Sequence, residues 1–328
     1  MKFEDRDGLR VAVAEADEAL AHDWRARPPA ADVVRVKRPD RARWPELERA
    51  GFVVKPGWVN WRAPLRASEE EYLAALPASE RRNFRLGRRF AEQQDVAVVV
   101  RDGLTAHELD AFLAVYDAQI ATMPHGVAYA RRQQEQVWER RADYVAVYAH
   151  RGDALVAGCL CLVRPEESVL QLRFAAAAPQ ERQARLQRAL YLAAMRAARE
   201  RGLAVMSLGN DPSLYGHVAG TGLFRFKARS GFTPTPSHLV DPGVGGDEAD
   251  LFLGLRGLSD PSLLLAYSAG DPVAPLRLLV LTEDDDARAA DAPGPDLAQY
   301  RAGFLAGVAL HPVRPATGLP SRPGHQGR

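Results

Sequence analysis

The sequence has little cysteine, little net charge and no long apolar run, and each shortage excludes a class of protein. Its two cysteines, Cys159 and Cys161, lie too close together for an ordinary disulfide and are too few to form a zinc cage. The formal net charge of +1 over 328 residues creates no overall field that would attract nucleic acid or an acidic membrane. A partner of that kind must therefore be recognised by a local cluster of charges.

The apolar residues are spread through the chain and are not gathered into a membrane segment. No stretch approaches the roughly twenty uninterrupted apolar residues that span a bilayer, and the N-terminal sequence MKFEDRDGLR is charged where a signal peptide is apolar. With 47% hydrophobic and 26% charged residues, the composition is that of an ordinary globular protein. We expect a cytoplasmic protein that does not insert into a membrane, and the oligomeric state stays open.

Several short catalytic and nucleotide-binding motifs are also missing. The chain has no G-x-S-x-G, no G-x-x-x-x-G-K, no G-x-G-x-x-G between a strand and a helix, and no histidine pair at metal-ligand spacing. The sequence therefore gives little support to a hydrolase, to a protein that binds a nucleoside triphosphate or to a protein that binds a dinucleotide. We expect neither a metal ion nor a tightly bound cofactor.

The most informative stretch is residues 203–232, LAVMSLGNDPSLYGHVAGTGLFRFKARSGF. Its apolar start, residues 203–208, predicts a short strand that ends at Gly209, and polar side chains follow among glycines and aromatics. A rigid strand that delivers polar groups into a loop is a common way to build an active site. The polar candidates are Asn210, Asp211, Tyr215, His217, Arg225 and Lys227.

The region before this stretch predicts an α/β fold. Residues 145–149, 155–163 and 169–175 form an expected three-stranded meander. A helix over residues 180–201 and the strand at 203–208 complete the order β-β-β-α-β. The layers should therefore be a sheet with helices packed on it.

The N-terminal region predicts a smaller lobe. Residues 9–24 carry apolar side chains at helical spacing and predict a helix, and residues 32–62 predict a strand, a helix and a second strand. Such a lobe is too small to fold alone, so later strands should complete it. The predicted domains are residues 1–67 completed by 250–311, a catalytic domain at residues 68–242, and a disordered tail at residues 312–328.

The β-β-β-α-β order resembles the core of the GNAT acyltransferases. Two stretches resemble the Fem-type aminoacyltransferases of that superfamily: residues 76–90, LPASERRNFRLGRRF, and residues 223–232, LFRFKARSGF. In the second, Phe226-Lys227 is followed by Gly231-Phe232, as in the Fem-type pattern. The resemblance implies a mixed central sheet flanked by helices, with a second, smaller lobe that could itself be GNAT-like.

The resemblance also implies an activated acyl donor between the strands at residues 169–175 and 203–208, and it leaves the donor open. GNAT enzymes that bind acetyl-CoA carry a glycine-containing loop at the position of residues 179–187, whose amides hold the pyrophosphate. Here that segment reads PQERQARLQ, without glycine, although Arg182 and Arg185 could bind phosphate by their side chains. Fem-type enzymes also lack the loop and use aminoacyl-tRNA. Acyl-CoA, aminoacyl-tRNA and an acyl group on a carrier protein all stay open.

A second candidate site is the arginine-rich segment at residues 81–89, which holds five arginines. One side of the predicted helix carries Arg81, Arg85, Arg88 and Arg89, which could bind the phosphates of CoA or of a tRNA backbone. The alternative is a helix face that is simply solvated.

Acyl transfer to an amine requires a neutral nucleophile, stabilisation of the oxyanion and an acid for the leaving group. We predict that Asp211 deprotonates or orients the incoming ammonium and that Tyr215 or His217 protonates the leaving group. Lys227 is predicted to stabilise negative charge or to hold a substrate carboxylate. For residues 210–212 the alternative is an Asx turn that caps a helix. The predicted substrate-binding residues are Asn210, Arg225 and His125, the last in a Met-Pro-His-Gly loop.

These patterns predict an enzyme that moves an acyl or aminoacyl group from acyl-CoA or aminoacyl-tRNA to an acceptor amine by direct attack. The acceptor is a small molecule or a peptide, and tRNA is a partner if it carries the donor. Two alternatives stay open. One is a Fem-like enzyme that forms peptide bonds in cell-wall or secondary-metabolite assembly, and the other is a GNAT-derived binding protein that has lost catalysis.

Overall fold

The computed structural model describes residues 1–6, 9–123, 126–179, 186–268, 270–283 and 295–314. The chain forms two compact units, each built from separate segments. Unit 1 comprises Met1–Asn60, Asn210–Phe226 and Pro234–Arg328, and unit 2 comprises Trp61–Gly209 and Lys227–Thr233. Over the described ranges, no helix has the length and apolar character needed to cross a bilayer.

The fold is mixed α/β, with sheets flanked by helices, which confirms the predicted fold class. The strands are β1 Lys2–Arg6, β2 Leu9–Ala14, β3 Val33–Lys37, β4 Val53–Pro56, β5 Trp58–Pro64, β6 Val96–Asp102, β7 Tyr144–Arg151, β8 Ala154–Arg164, β9 Val169–Ala177, β10 Val205–Pro212, β11 Leu214–Tyr215, β12 Thr233–Pro236, β13 Asp247–Phe252, β14 Ser262–Ala266, β15 Arg277–Glu283 and β16 Gly307–Val313. The α-helices are α1 Ala16–Ala21, α2 Trp44–Arg49, α3 Glu69–Ala75, α4 Ala78–Gln93, α5 Ala106–Ile120, α6 Tyr129–Arg132, α7 Gln134–Glu139, α8 Leu186–Glu200 and α9 Thr221–Arg229.

Unit 2 is built on a mixed sheet with the strand order β12-β5-β10-β9-β8-β7-β6. From β6 to β9 each strand pairs antiparallel with the next, and β10 pairs parallel with β9 after the crossover helix α8. The predicted meander and returning strand are therefore present. The helix predicted over residues 180–201 is present as α8, Leu186–Glu200, and residues 180–185 lie outside the described residues. Strands β5, β10 and β12 each include residues of both units.

Helices cover both faces of the sheet in unit 2. Because side chains alternate along a strand, Tyr144 and Tyr148 of β7 point to one face, where they join an apolar cluster with residues of α5. Val147 and its cross-strand partner Cys159 point to the opposite face. There, Gln187 of α8 donates a hydrogen bond to the Cys159 sulfur at 3.5 Å. The core of unit 2 thus lies between α5 and α8, and α4 packs on α8.

Unit 1 contains two sheets that share an apolar core. Their strand orders are β1-β2-β3-β13-β4 and β11-β14-β15-β16. Leu9, Phe252 and Leu264 come from the two sheets and belong to one buried cluster. Strand β13 lies between β3 and β4 and pairs antiparallel with both. A strand from the C-terminal part of the chain therefore completes the sheet that the N-terminal strands begin.

The helix predicted over residues 9–24 is wrong. Leu9–Ala14 form strand β2, and helix α1 covers only Ala16–Ala21. Strand β2 pairs antiparallel with β1 and parallel with β3, and it buries Val11 and Ala12 almost completely. Pairing on both sides outweighs the helical spacing of the apolar residues.

The unit boundaries also differ from the predicted domain boundaries. The N-terminal segment of unit 1 ends at Asn60, and residues 210–226 belong to unit 1, where β11 pairs with β14. The start of the tail predicted from residue 312 is wrong, because β16 pairs in parallel with β15 up to the buried Val313. The rest of that predicted tail, residues 315–328, lies outside the described residues.

Candidate functional site

The central feature of unit 2 is a short parallel ladder between β9 and β10. Its pairs are Val169 with Val205, Leu170 with Met206, and Gln171 with Ser207. Both strands continue beyond the last pair, β9 to Ala177 and β10 to Pro212, with no further pair in the described ladder. The ladder therefore ends where the sequence analysis places the activated donor.

The peptide group between Leu208 and Gly209, directly after the ladder, bonds to two side chains. The Gly209 N–H donates to the hydroxyl oxygen of Ser207 at 3.0 Å, and the Leu208 carbonyl accepts from the ammonium of Lys227 at 3.2 Å. Gly209 has a φ of +73°, and a Cβ atom there would lie 3.1 Å from the carbonyl oxygen of Leu172. This conformation favours glycine. We call Ser207, Leu208, Gly209 and Lys227 the ladder-end site.

Lys227 lies in the last turn of α9 and is 5% exposed. The helix ends at Arg229. Two residues later Gly231 has a φ of +81°, and the N–H of the buried Phe232 donates to the Lys227 carbonyl at 3.2 Å. The hydroxyl of Tyr72 donates to the Ser230 carbonyl at 2.8 Å. These contacts explain the Phe-Lys and Gly-Phe spacing, because they fix the backbone of Lys227 while its side chain reaches the end of the ladder.

Gly209 interrupts the ladder without ending the strand, so the predicted strand end at Leu208 is wrong. Strand β10 continues through Asn210 and Asp211. In unit 1, the side-chain oxygen of Asn210 accepts hydrogen bonds from the amide of Asn60 at 2.7 Å and from the hydroxyl of Ser237 at 3.0 Å. These bonds hold the chain extended, and Asp211 lies within the strand instead of in a loop after it.

Asp211 and Tyr215, two of the predicted catalytic residues, are brought together in unit 1. The Tyr215 hydroxyl donates to a carboxylate oxygen of Asp211 at 3.0 Å. Asp211 is 7% exposed and Tyr215 is fully buried, with its ring packed edge-on against Phe224. The pair fixes the orientation of the carboxylate. The roles of Asp211 as base and of Tyr215 as acid stay predictions.

The remaining predicted residues are distributed differently. His217 is half-buried and Arg225 is exposed, both in unit 1. Lys227 belongs to unit 2. The residues that lie outside the described residues are His125, Arg182 and Arg185.

The arginine-rich segment forms helix α4, as predicted, and its arginines differ in their partners. Arg88 is paired with Glu69 at 2.9 Å and with Glu92 at 3.8 Å. Arg85 is exposed and Arg81 is half-buried, and neither forms an ion pair with any residue that the structure describes. The charge on this face is therefore only partly neutralised.

Arg173 on β9 is a candidate that the sequence analysis missed. The register between β8 and β9 shifts so that Leu160 faces Phe174 and Cys161 faces Leu172, which leaves Arg173 without a cross-strand partner. This arrangement is a β-bulge, a feature that re-aims side chains and is common next to active sites. One charged residue in an apolar strand is the only signal that the sequence offers.

The two cysteines are free and buried, and burial raises the pKa of both thiols, that of Cys161 to about 12. Because the thiolate is the reactive form, these thiols are packing groups and do not suit an acyl-cysteine intermediate. Among the described side chains, no group of His, Cys, Asp or Glu is arranged to hold a metal ion.

Comparison with known proteins identifies the family. The model of the FemAB-like family, described as peptidoglycan biosynthesis/recognition, matches residues 8–212, more than half of the chain. The chain belongs to the FemAB-like family. The resemblance to Fem-type proteins is thereby confirmed. Of the two short stretches that indicated it, residues 76–90 lie within the match and residues 223–232 lie outside it.

Solved structures similar to this FemAB-like chain include FemX, at 13% identity and a TM-score of 0.44, with 68% of this chain and 72% of FemX covered. Another is L-PGS from Bacillus licheniformis, at 12% identity and a TM-score of 0.35, with 55% of this chain covered. The chain spans 53% of that L-PGS structure. A third is the PaiA N-acetyltransferase from Thermoplasma acidophilum, at 12% identity and a TM-score of 0.27, with 33% of this chain and 75% of that structure covered. No curated protein matches the chain.

Proposed function

We propose that this chain transfers an aminoacyl group from aminoacyl-tRNA to the amine of a peptide acceptor of the peptidoglycan type. The observation that carries the proposal is the ladder-end site, where the buried ammonium of Lys227 lies at the end of the pairing between β9 and β10. Beyond Gln171, the described ladder leaves that edge of β9 without strand partners. Such an edge suits an extended ligand, because backbone groups can bind it by strand addition.

The ladder-end site matches what aminoacyl transfer requires. The acceptor nitrogen forms a bond to the carbonyl carbon of the donor ester, and the bond from that carbon to the ribose oxygen breaks. The attacking nitrogen loses a proton and the departing ribose oxygen gains one. Negative charge develops on the carbonyl oxygen between these events, and a cation fixed in advance stabilises it. Lys227 is our candidate for that cation, because its ammonium is buried and held by the Leu208 carbonyl.

Three observations favour aminoacyl-tRNA over acyl-CoA as the donor. The chain is a member of the FemAB-like family. Residues 179–187 contain no glycine that would let backbone amides hold a pyrophosphate. Helix α4 presents Arg81 and Arg85 without carboxylate partners among the described residues, and a charged RNA backbone needs such groups.

The experiment that tests the proposal supplies two labelled donors to the same protein. Bulk tRNA charged with radiolabelled amino acids and radiolabelled acetyl-CoA are each incubated with a lysine-containing pentapeptide of the peptidoglycan stem type. We expect label on the peptide amine from tRNA alone. Label from acetyl-CoA alone would identify an acyl-CoA N-acyltransferase instead, and label from neither donor would favour a binding protein without catalysis.

The arginines of α4 give a separate prediction about the donor. The double substitution Arg81→Glu with Arg85→Glu should weaken tRNA binding at least about tenfold and lower the slope of log affinity against log salt by about 1.5, because two phosphate contacts are lost. The thermal unfolding midpoint should stay unchanged, since neither guanidinium forms an ion pair with a described residue. Binding is measured by filter retention at several salt concentrations.

The control for this double variant is Arg49→Glu, which reverses one exposed charge on α2. It should leave tRNA affinity and its salt dependence unchanged. Equal tRNA affinity in the wild-type protein and the α4 double variant would exclude this face as the donor site.

A further inference from the structure

Arg173 occupies the bulge of β9, two residues beyond Gln171, the last residue of the ladder. Because the extra residue resets the alternation, its side chain lies on the same face of the sheet as that of Phe174, and the guanidinium carbon is 5.2 Å from the centre of the Phe174 ring. The ring belongs to the apolar cluster beneath α5. The bulge thus aims a cation across an apolar surface.

The partners that hold this cation are neutral. One guanidinium nitrogen of Arg173 donates to the Tyr144 hydroxyl at 2.8 Å, and another donates to the side-chain oxygen of Gln133. Burial raises the pKa of Tyr144, and the charge of Arg173 only partly opposes this, so the phenol stays uncharged at neutral pH. The two bonds use two of the five N–H donors that a guanidinium carries.

Several other arginines of unit 2 have carboxylate partners. Arg188 bonds to Glu80 at 2.5 Å, and Arg131 bonds to Asp117 at 2.7 Å. Tyr144 also lines a cavity of about 370 Å³, and two arginines line the same cavity. Both of these, Arg140 and Arg201, are paired with aspartates. Arg173 is half-buried and has no carboxylate partner among the described residues, which leaves its charge uncompensated.

We propose that Arg173 binds an oxyanion of the acceptor, a carboxylate or a phosphate, and so orients the acceptor beside the ladder-end site. The remaining N–H donors of a guanidinium form a planar fork that matches two coplanar oxygens. Gln133 and Tyr144 hold the fork in place before the anion arrives, which lowers the entropic cost of binding. The inference that the anion belongs to the acceptor rests on the proposed function. The inference that Arg173 binds an anion does not depend on it.

The test observes the guanidinium directly in the folded full-length protein. The side-chain Nε–H signals of the arginines are recorded by nitrogen-15 NMR, and the Arg173 signal is identified by its loss in Arg173→Lys. Sodium acetate, inorganic phosphate and acetamide are then titrated separately. We expect a saturable shift of the Arg173 signal with acetate or phosphate and none with acetamide, which has the shape of acetate without its charge. A preference for acetate indicates a carboxylate acceptor group, and a preference for phosphate indicates a phosphate group.

A nearly isosteric substitution provides the second arm. Gln133→Glu supplies a carboxylate to Arg173 from within the chain, so it should weaken binding of either anion at least about tenfold without unfolding the protein. The matched control is Gln134→Glu, one residue away, where the side-chain oxygen accepts from Arg131 instead. It should leave the titration of Arg173 unchanged.

The outcomes separate this inference from the proposed function. Absence of a saturable shift with both anions, or an unchanged titration in Gln133→Glu, would overturn the oxyanion site whatever the enzyme does. Saturable binding in a protein that transfers nothing from either donor would overturn the proposed function and leave the oxyanion site standing. If both hold, Gln133→Glu should raise KM for the peptide acceptor about tenfold and leave KM for aminoacyl-tRNA unchanged.

Discussion

Lys227 combines two tasks in one side chain, a structural bond and a proposed catalytic charge. Its ammonium satisfies the carbonyl of Leu208 in a buried position. In Lys227→Met the carbonyl loses this donor, which should cost about 1 to 3 kcal/mol of folding free energy in urea unfolding. The same change removes the cation from the proposed oxyanion position, so kcat for aminoacyl transfer should fall about 100- to 1000-fold while KM for the acceptor changes little.

The comparison that isolates the catalytic charge is Lys37→Met. Lys37 is partly exposed and pairs with Glu4 at the surface, so its loss should cost less than about 1 kcal/mol and leave kcat unchanged. A stable Lys227→Met protein that keeps its kcat would remove Lys227 from the mechanism and leave it a purely structural role.

Individual residues of the site differ in how far sequence could reveal them. Gly209 and Lys227 stand out because a glycine after an apolar run and a lysine in a Phe-Lys, Gly-Phe pattern are local signals. Arg173 could not be found in this way, because its position depends on how β9 is aligned with β8. A one-residue bulge exchanges the two faces of a strand, and nothing in the strand's own sequence specifies it.

Helix α4 is anchored to α8 by a buried ion pair, which matters because α4 carries the arginine-rich face. A carboxylate oxygen of Glu80 lies 2.5 Å from Nε of Arg188, whose guanidinium also lies over the Phe84 ring. In Glu80→Ala the largely buried guanidinium of Arg188 would lose the carboxylate of Glu80. We therefore expect a loss of about 3 to 5 kcal/mol in the free energy of unfolding, measured by urea titration.

The control for Glu80→Ala is Glu69→Ala, which removes one of the two carboxylate partners of Arg88 on α4. Arg88 is 53% exposed, so water replaces the carboxylate and the loss should be below about 1 kcal/mol. Equal losses in the two variants would mean that the Glu80 pair is not a buried anchor.

Elements with local end signals were predictable, and elements defined by their neighbours were not. The start of helix α5 is readable in the sequence, because Thr105 and Glu108 have the spacing of a capping box, which the structure contains. Strand β2 was not, because its apolar residues also fit a helical face, and only pairing with β1 and β3 decides between the two. Strand β10 was cut short for a related reason: the bonds that carry it past Gly209 come from distant side chains.

At the scale of the whole chain, unit 1 depends on strands that are far apart in sequence. The size of the N-terminal lobe alone indicated that later strands must complete it, but sequence could not show which strand enters the sheet or where. Strand β13 enters between β3 and β4, and it brings Glu248 opposite Lys55 and Asp250 opposite Arg35. Hydrophobic patterning does not report such a choice, because the paired charges are buried in the sheet.

These charges form a compact network in unit 1. Asp250 is fully buried and accepts two hydrogen bonds from Arg35, both at 2.7 Å. Lys55 lies 2.6 Å from Glu248 and 3.3 Å from Asp250. Burial alone would raise the pKa of Asp250, but the charges and hydrogen bonds of Arg35 and Lys55 outweigh it, so this pKa lies below its ordinary value. The network is therefore intact in its ionised form.

Unit 1 should consequently lose stability in acid. A carboxylate whose pKa is lower in the folded state contributes its stabilisation fully above its unfolded pKa of about 4, and loses it as the pH falls through the lower folded value. We expect Asp250→Asn to be less stable at pH 7, because Arg35 and Lys55 lose a charged partner, and to show a weaker fall in unfolding free energy between pH 7 and pH 3. Urea titration gives the free energies, and hydrogen exchange of the β13 peptide assigns the loss to unit 1.

The control is Asp153→Asn, in the exposed turn between β7 and β8, which should keep the wild-type pH dependence. If Asp250→Asn keeps it too, the acid sensitivity of unit 1 does not arise from this network.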